Sequence, residues 1–134
     1  LQALYAARIV PPPAIVEVNE RRSLPPVQLK AREGELILGA LPAGIPFVAL
    51  DECGVQWSSR ALAERIAIWR DRGAPELAFA IGGADGLHSM VLDRADVILS
   101  LGSMIWPHLL VRGMLLEQLY RAQQILAGHP YHRG

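Results

Sequence analysis

The last seven residues, GHPYHRG (128–134), hold two of the chain's four histidines, one of its three tyrosines and an arginine. Gly128 and Pro130 keep that stretch from continuing a helix. Tyr131 and Arg133 are residue types that stack on nucleobases or pair with phosphates, while His129 and His132 can donate or accept a hydrogen bond. A polar tail that no core requires reads as a segment facing a substrate; the plainer reading is a frayed terminus.

Three further stretches could do chemistry through their backbone: LDECG (50–54), IGGADG (81–86) and LGSMIW (101–106). Each contains glycine, which lets a main chain approach a flat ligand closely. IGGADG is not a dinucleotide fingerprint, because its glycines fall as GGxxG and the strand before it does not open a βαβ pair. By itself it is a glycine turn between a strand and a helix, and only its company with the other two loops suggests a pocket for an adenine-containing cofactor. Asp51, Glu52 and Cys53 invite a metal, yet no second cluster completes a coordination sphere, so no metal is expected. Cys53 has no positioned histidine and reads as a small residue near a turn. His88 and His108, each at a helix start, read as partners of local backbone groups, and Glu117 with Arg121 as a surface ion pair.

The elements that must hold these loops alternate in type. LQALYAAR (1–8) reads as the end of a helix whose earlier part is absent, and AIVEVN (14–19) alternates like a strand. PVQLKAREGELILGA (26–40) suits a helix despite Gly34, at a cost of about 1 kcal/mol relative to alanine. IPFVALD (45–51), ELAFAIGG (76–83) and DVILSLG (96–102) are apolar runs of the buried-strand kind. Between them lie a helix from Ser58 or Ser59 to a stop at Gly73, with Leu62, Ile66 and Trp69 on one stripe, and a short helix over 86–95. Pro107 opens a last helix reaching about Ala127.

Such alternation predicts an α/β fold with a parallel-rich sheet and helices on both faces. Ligands in such sheets bind beyond the carboxyl ends of the strands, so the loops after residues 50, 82 and 101 are where a site is expected. The last helix is apolar around much of its circumference, at Leu109, Leu110, Met114, Leu115, Leu116, Leu119 and Tyr120. One sheet covers one side of it; a homodimer through helix 107–127 would cover the other, and a central core helix is the alternative.

Composition narrows the function further. At 134 residues the chain has the size of one domain, and 51% hydrophobic against 19% charged residues is a globular balance. A single cysteine and no signal-peptide pattern point to a reducing cytoplasm, and no apolar run reaches the ~18 residues of a membrane span. Thirteen basic residues offset thirteen acidic ones, which disfavours strong binding to bulk RNA. An RNA partner would be recognised by shape and a few local arginines.

VALDECG, AFAIGGADGL, LSLGSMIWPH, MLLEQLYRAQQIL and HPYHR stand in an order and spacing that resembles the RlmH family of SPOUT methyltransferases, strongly over 45–134 and loosely before. The resemblance implies an α/β fold with a C-terminal trefoil knot, a homodimer through the terminal helix, and S-adenosylmethionine as methyl donor to a pseudouridine of large-subunit ribosomal RNA. It places the cofactor at Leu50, Gly82 and the run Leu101, Gly102, Ser103, Met104, Ile105 and Trp106. It sets His129, Pro130, Tyr131, His132 and Arg133 toward the substrate base. Gly102 and Ile105 stand where relatives commonly carry serine and threonine, so backbone contacts must replace those hydroxyls. The family's opening strand is expected to be missing from this single domain of residues 1–134.

On this reading Tyr131 or His132 orients or deprotonates a ring nitrogen of the base, and Arg133 supplies positive charge. Zero net charge fits an enzyme that recognises a folded surface, such as an assembled ribosome. A non-catalytic dimeric module binding nucleotides or RNA through the same loops stays open. A Rossmann oxidoreductase is disfavoured because no acidic residue is placed for the ribose.

Overall fold

The computed structural model describes residues 2–8, 14–18, 24–74, 76–82, 86–102 and 108–127. In chain order the elements are β1 (Gln2–Arg8), β2 (Ala14–Val18), α1 (Pro26–Ala40), β3 (Phe47–Val55), α2 (Ser59–Asp71), β4 (Glu76–Ile81), α3 (Ser89–Arg94), β5 (Val97–Leu99) and α4 (His108–Leu126). The five strands form one sheet in the order β2-β1-β4-β3-β5.

The apolar runs of β3, β4 and β5 are parallel neighbours with β3 in the middle. Alternate side chains of each strand go to opposite faces, as the pleat requires. Val48 and Leu50 of β3 and Leu77, Phe79 and Ile81 of β4 join Leu62, Ile66 and Trp69 of α2 and Leu115, Leu119 and Ala122 of α4 in one core. Phe47, Ala49, Ala78 and Ala80 meet Ile37 of α1 and Val91 of α3 in the other. The expectation of helices on both faces is met, and the stripe read on α2 is the buried one.

The opening segment departs from expectation. Residues 2–8 form a strand instead of a helix end, antiparallel to β4 from Ala3↔Ile81 to Arg8↔Glu76 and to β2 from Gln2↔Val18 to Ala6↔Ala14. Alanine and leucine favour helix locally, but a buried strand such as β4 must satisfy its second edge, and that long-range pairing overrides a weak propensity. The sheet is therefore parallel across β4, β3 and β5 and antiparallel in its other half.

Gly34 has a packing reason. A Cβ there would stand 3.2 Å from Cβ of His88 and 3.4 Å from Val91, so glycine lets α1 lie close to α3. Gly39, by contrast, has nothing within 4 Å of a built Cβ and is exposed. Gly39→Ala should therefore stabilise the fold by about 0.5–1 kcal/mol through the unfolded chain's lost freedom, measurable as a raised urea midpoint at unchanged slope.

The short helix starts later than its sequence suggested, at Ser89, because His88 is its cap. His88 Nδ1 accepts from the backbone N–H of Met90 at 3.1 Å. This is the local backbone role expected of it. His88→Ala should cost about 0.5–2 kcal/mol, as other cap deletions do, with His88→Asn keeping most of the stability in the same denaturation experiment. Ser58 caps α2 by accepting from Ala61 N–H at 3.0 Å, and Gly73, at φ +89°, ends the helix in the left-handed region. Glu117 and Arg121 pair at 2.9 Å on the exposed side of α4.

Candidate functional site

Parallel register brings the glycine-bearing loops together. Leu50 lies opposite Ile81 on one side and Leu99 on the other, so β4 and β5 end level with Leu50 of the middle strand. At the usual strand spacing these tips span roughly 10 Å. Gly82 follows the first of these partners, and Leu101 and Gly102 follow the second by two and three residues.

The first two tips are shaped by close backbone approach and the third by the hydrogen bonds of a serine side chain. After Leu50 the third strand makes an excursion: Leu50 and Val55 both pair with Leu99, so Asp51–Gly54 are looped out between them. Asp51 Oδ2 accepts from Cys53 N–H at 3.0 Å inside this excursion, and Cys53 is exposed. Gly54 then passes the next strand so closely that a Cβ would fall 2.5 Å from the carbonyl oxygen of Ile98. Val55 rejoins the sheet, its carbonyl accepting from Ser100 N–H at 2.7 Å. At the second tip a Cβ on Gly82 would lie 2.5 Å from the carbonyl carbon of Gly86, whose φ is +75°. At the third, the buried Ser100 hydroxyl accepts from Gly102 N–H and donates to Gly102 C=O, both at 3.0 Å, and holds Gly102 at φ +126°.

A cavity of about 590 Å³ opens beside the third tip, between the start of α2 and the middle of α4. Trp57, Leu62, Leu99 and Met114 give it apolar walls, and Gln56, Ser59 and Gln118 polar ones. This mixture and size suit a drug-sized organic ligand. Gly102 and Gly113 both border it, and a Cβ built on either meets nothing within 4 Å, so these glycines leave room that a side chain would fill. Ser59 Oγ donates to Gln118 Oε1 at 2.5 Å and ties the two helices across the cavity.

Leu101 and Gly102 line this cavity; Leu50, buried in the core, and Gly82 stand at the neighbouring tips and do not. Ser103, Met104, Ile105 and Trp106 lie outside the described residues, as do Tyr131, His132 and Arg133. Sequence reasoning missed Ser100, Trp57 and Gln118. A serine before a glycine turn was a usable signal for the first, whereas the other two come together only through the packing of α2 on α4. Among the described residues no three His, Cys, Asp or Glu side chains are grouped to hold a metal ion. No described helix is long and apolar enough to cross a membrane.

A second cavity, of about 450 Å³, lies where the strands begin, lined by Trp69, Arg72, Gly73, Arg94 and Asp96 among others. Its two arginines sit at the carboxyl ends of α2 and α3, where they complement the negative ends of the helix dipoles. The Asp96 carboxylate also lines it, its Oδ2 accepting from Phe47 N–H at 2.8 Å.

A family model described as a predicted SPOUT methyltransferase matches residues 2–132. The chain belongs to the SPOUT methyltransferase family. It is 55% identical over 129 residues to the ribosomal RNA large subunit methyltransferase H of Paramagnetospirillum magneticum, covering 96% of this chain and 85% of that one. It is 53% identical over 130 residues to the protein of the same name from Rhodospirillum centenum, covering 97% and 86%. With that of Acidiphilium cryptum the identity is 50% over 134 residues, 100% and 84% of the two chains. Methyl transfer is the reaction class of the SPOUT family, so the oxidoreductase reading falls away.

Proposed function

We propose that this chain transfers a methyl group from S-adenosylmethionine to ring nitrogen N3 of a pseudouridine in large-subunit ribosomal RNA, acting on the assembled ribosome. The observation that carries the reading is the register that sets Leu50, Ile81 and Leu99 side by side, in a member of a methyltransferase family whose relatives are named for large-subunit ribosomal RNA.

Leu50, Gly82, Leu101, Gly102, Ser103, Met104, Ile105 and Trp106 would hold the cofactor, with backbone groups of the glycine turns contacting its adenosine. Bound there, it supplies an electrophilic methyl on a sulfonium centre. The protein's own part is to align the ring nitrogen with that methyl, to exclude water and to handle one proton. Tyr131 or His132 takes or orients the N3 proton, and Arg133 stabilises the negative charge that its loss leaves on the ring. No covalent nucleophile is needed.

The family resemblance supports a knotted C-terminal part and two copies associating through α4. Tyr120, exposed at 48% on that helix, belongs to the face a second copy would cover. A cytoplasmic enzyme with zero formal net charge suits a substrate recognised by its folded surface.

Calorimetry with S-adenosylmethionine, followed by transfer of tritiated methyl to ribosomes from cells lacking the protein, tests the reading. Binding with label in large-subunit RNA is the expected result. Binding without transfer would instead favour a non-catalytic module, and efficient labelling of a short free hairpin at physiological salt would remove the ribosome from the proposal.

A further inference from the structure

Trp57, at the wall of the larger cavity, forms with Arg65 and Trp69 an arrangement that the proposed chemistry does not use. The guanidinium carbon of Arg65, on the second turn of α2, lies 5.6 Å from the ring centroid of Trp57 and 5.8 Å from that of Trp69. Both distances are within the range of a cation–π contact. Among the described residues no carboxylate pairs with Arg65, so its charge is directed at two indoles. Trp69, one turn further along α2, is anchored in the core with 8% exposure. Trp57 is only half-buried and lies on the three-residue connection between β3 and α2, outside any regular element.

That connection borders the site. Trp57 lines the cavity together with Leu101 and Gly102. Two residues before Trp57, Val55 C=O accepts from Ser100 N–H, the residue whose hydroxyl shapes the Gly102 turn. Immediately after it, Ser58 caps α2. The backbone is thus fixed on either side of Trp57, while its indole, a large ring on two rotatable bonds, is directed by Arg65. A planar guanidinium suits this role because it stacks on aromatic faces and is weakly hydrated.

We propose that Arg65 is a positioning residue: anchored against Trp69, it holds the Trp57 indole as a fixed wall of the cavity beside the Leu101–Gly102 turn, and so sets the affinity for the methyl donor. This rests on the placement of the donor at the strand tips given above. It adds a residue outside every glycine loop that acts on the site through another side chain.

The test compares Arg65→Met, which keeps the stem and removes the charge, with Arg65→Lys, which keeps a charge. Protein labelled with 5-fluorotryptophan gives a resonance for each of its three tryptophans, and Trp57→Phe identifies that of Trp57. In Arg65→Met the Trp57 resonance should shift or broaden, and the Kd for S-adenosylmethionine should rise by about threefold to tenfold, at a melting temperature close to that of the parent. Arg65→Lys, which keeps the charge but not the planar stacking group, should recover only part of both. An unmoved Trp57 resonance overturns the proposal, as does a moved one with unchanged Kd. Equal losses in both variants that follow a lowered melting temperature indicate packing alone and also overturn it. Failure of the parent protein to bind the donor is a different result, which removes the donor site itself while the fluorine spectra still report whether Arg65 fixes Trp57.

Discussion

Arg133→Ala should lower methyl transfer to ribosomes by about 10²–10³-fold while leaving the Kd for S-adenosylmethionine within about twofold. The reason lies in where charge develops. In the proposed mechanism loss of the N3 proton leaves negative charge on the base, and a guanidinium placed near it would stabilise the transition state more than the neutral ground state. A residue that acts only there lowers kcat without touching the donor. Tyr131→Phe and His132→Asn separate the remaining roles. The one that takes the proton should lose about 10²-fold or more and change the dependence of rate on pH, and the one that only orients the base should lose less. Single-turnover labelling of ribosomes with each variant, alongside donor calorimetry, makes the comparison. Undiminished transfer by Arg133→Ala and Tyr131→Phe would take the tail out of the mechanism.

Much of the scaffold around that chemistry was readable from local signals. The apolar runs that became β3, β4 and β5 are short, continuous and bounded by turn residues, and helix α2 carries both its cap at Ser58 and its stop at Gly73 in the sequence. Since all three runs are parallel, their carboxyl ends lie along one edge, which is why the loops after residues 50, 82 and 101 could be singled out from the alternation of elements, while Leu50, Gly82 and Leu101 themselves are what the family resemblance implies. What escaped depends on contacts distant in the chain. The segment Gln2–Arg8 is composed of good helix formers and becomes a strand because β4 offers it an edge. Nothing local to Gly54 announces the Ile98 carbonyl beside it, and nothing local to Trp57 announces a cation eight residues away. The glycines were legible as permission for close approach; what approaches them was not.

Gly82→Ala carries the second large expected effect, and it follows from such an approach. A Cβ at this position would stand 2.5 Å from the carbonyl carbon of Gly86, 2.8 Å from the nitrogen of Leu87 and 2.9 Å from Cα of Gly86. All three are backbone atoms, so no side chain can swing aside, and the segment around Gly86 must move as a unit. Leu87 is buried in the core between the sheet and α1–α3, and His88 caps the helix that follows, which resists that movement. The substitution should therefore cost about 1–3 kcal/mol of stability, as overpacking does. It should also displace the second strand tip from its place beside Leu50, and a loss of about 1.4 kcal/mol of donor contact would weaken Kd about tenfold. Calorimetry and urea unfolding on the same preparation test both consequences. Gly39→Ala, where the added methyl meets open space, serves as the control in which stability rises and donor affinity stays constant. A Gly82→Ala protein that binds donor as tightly as the parent would mean that the turn after β4 contributes nothing to the cofactor site, and the placement of the methyl donor across three adjacent strand tips would fail with it.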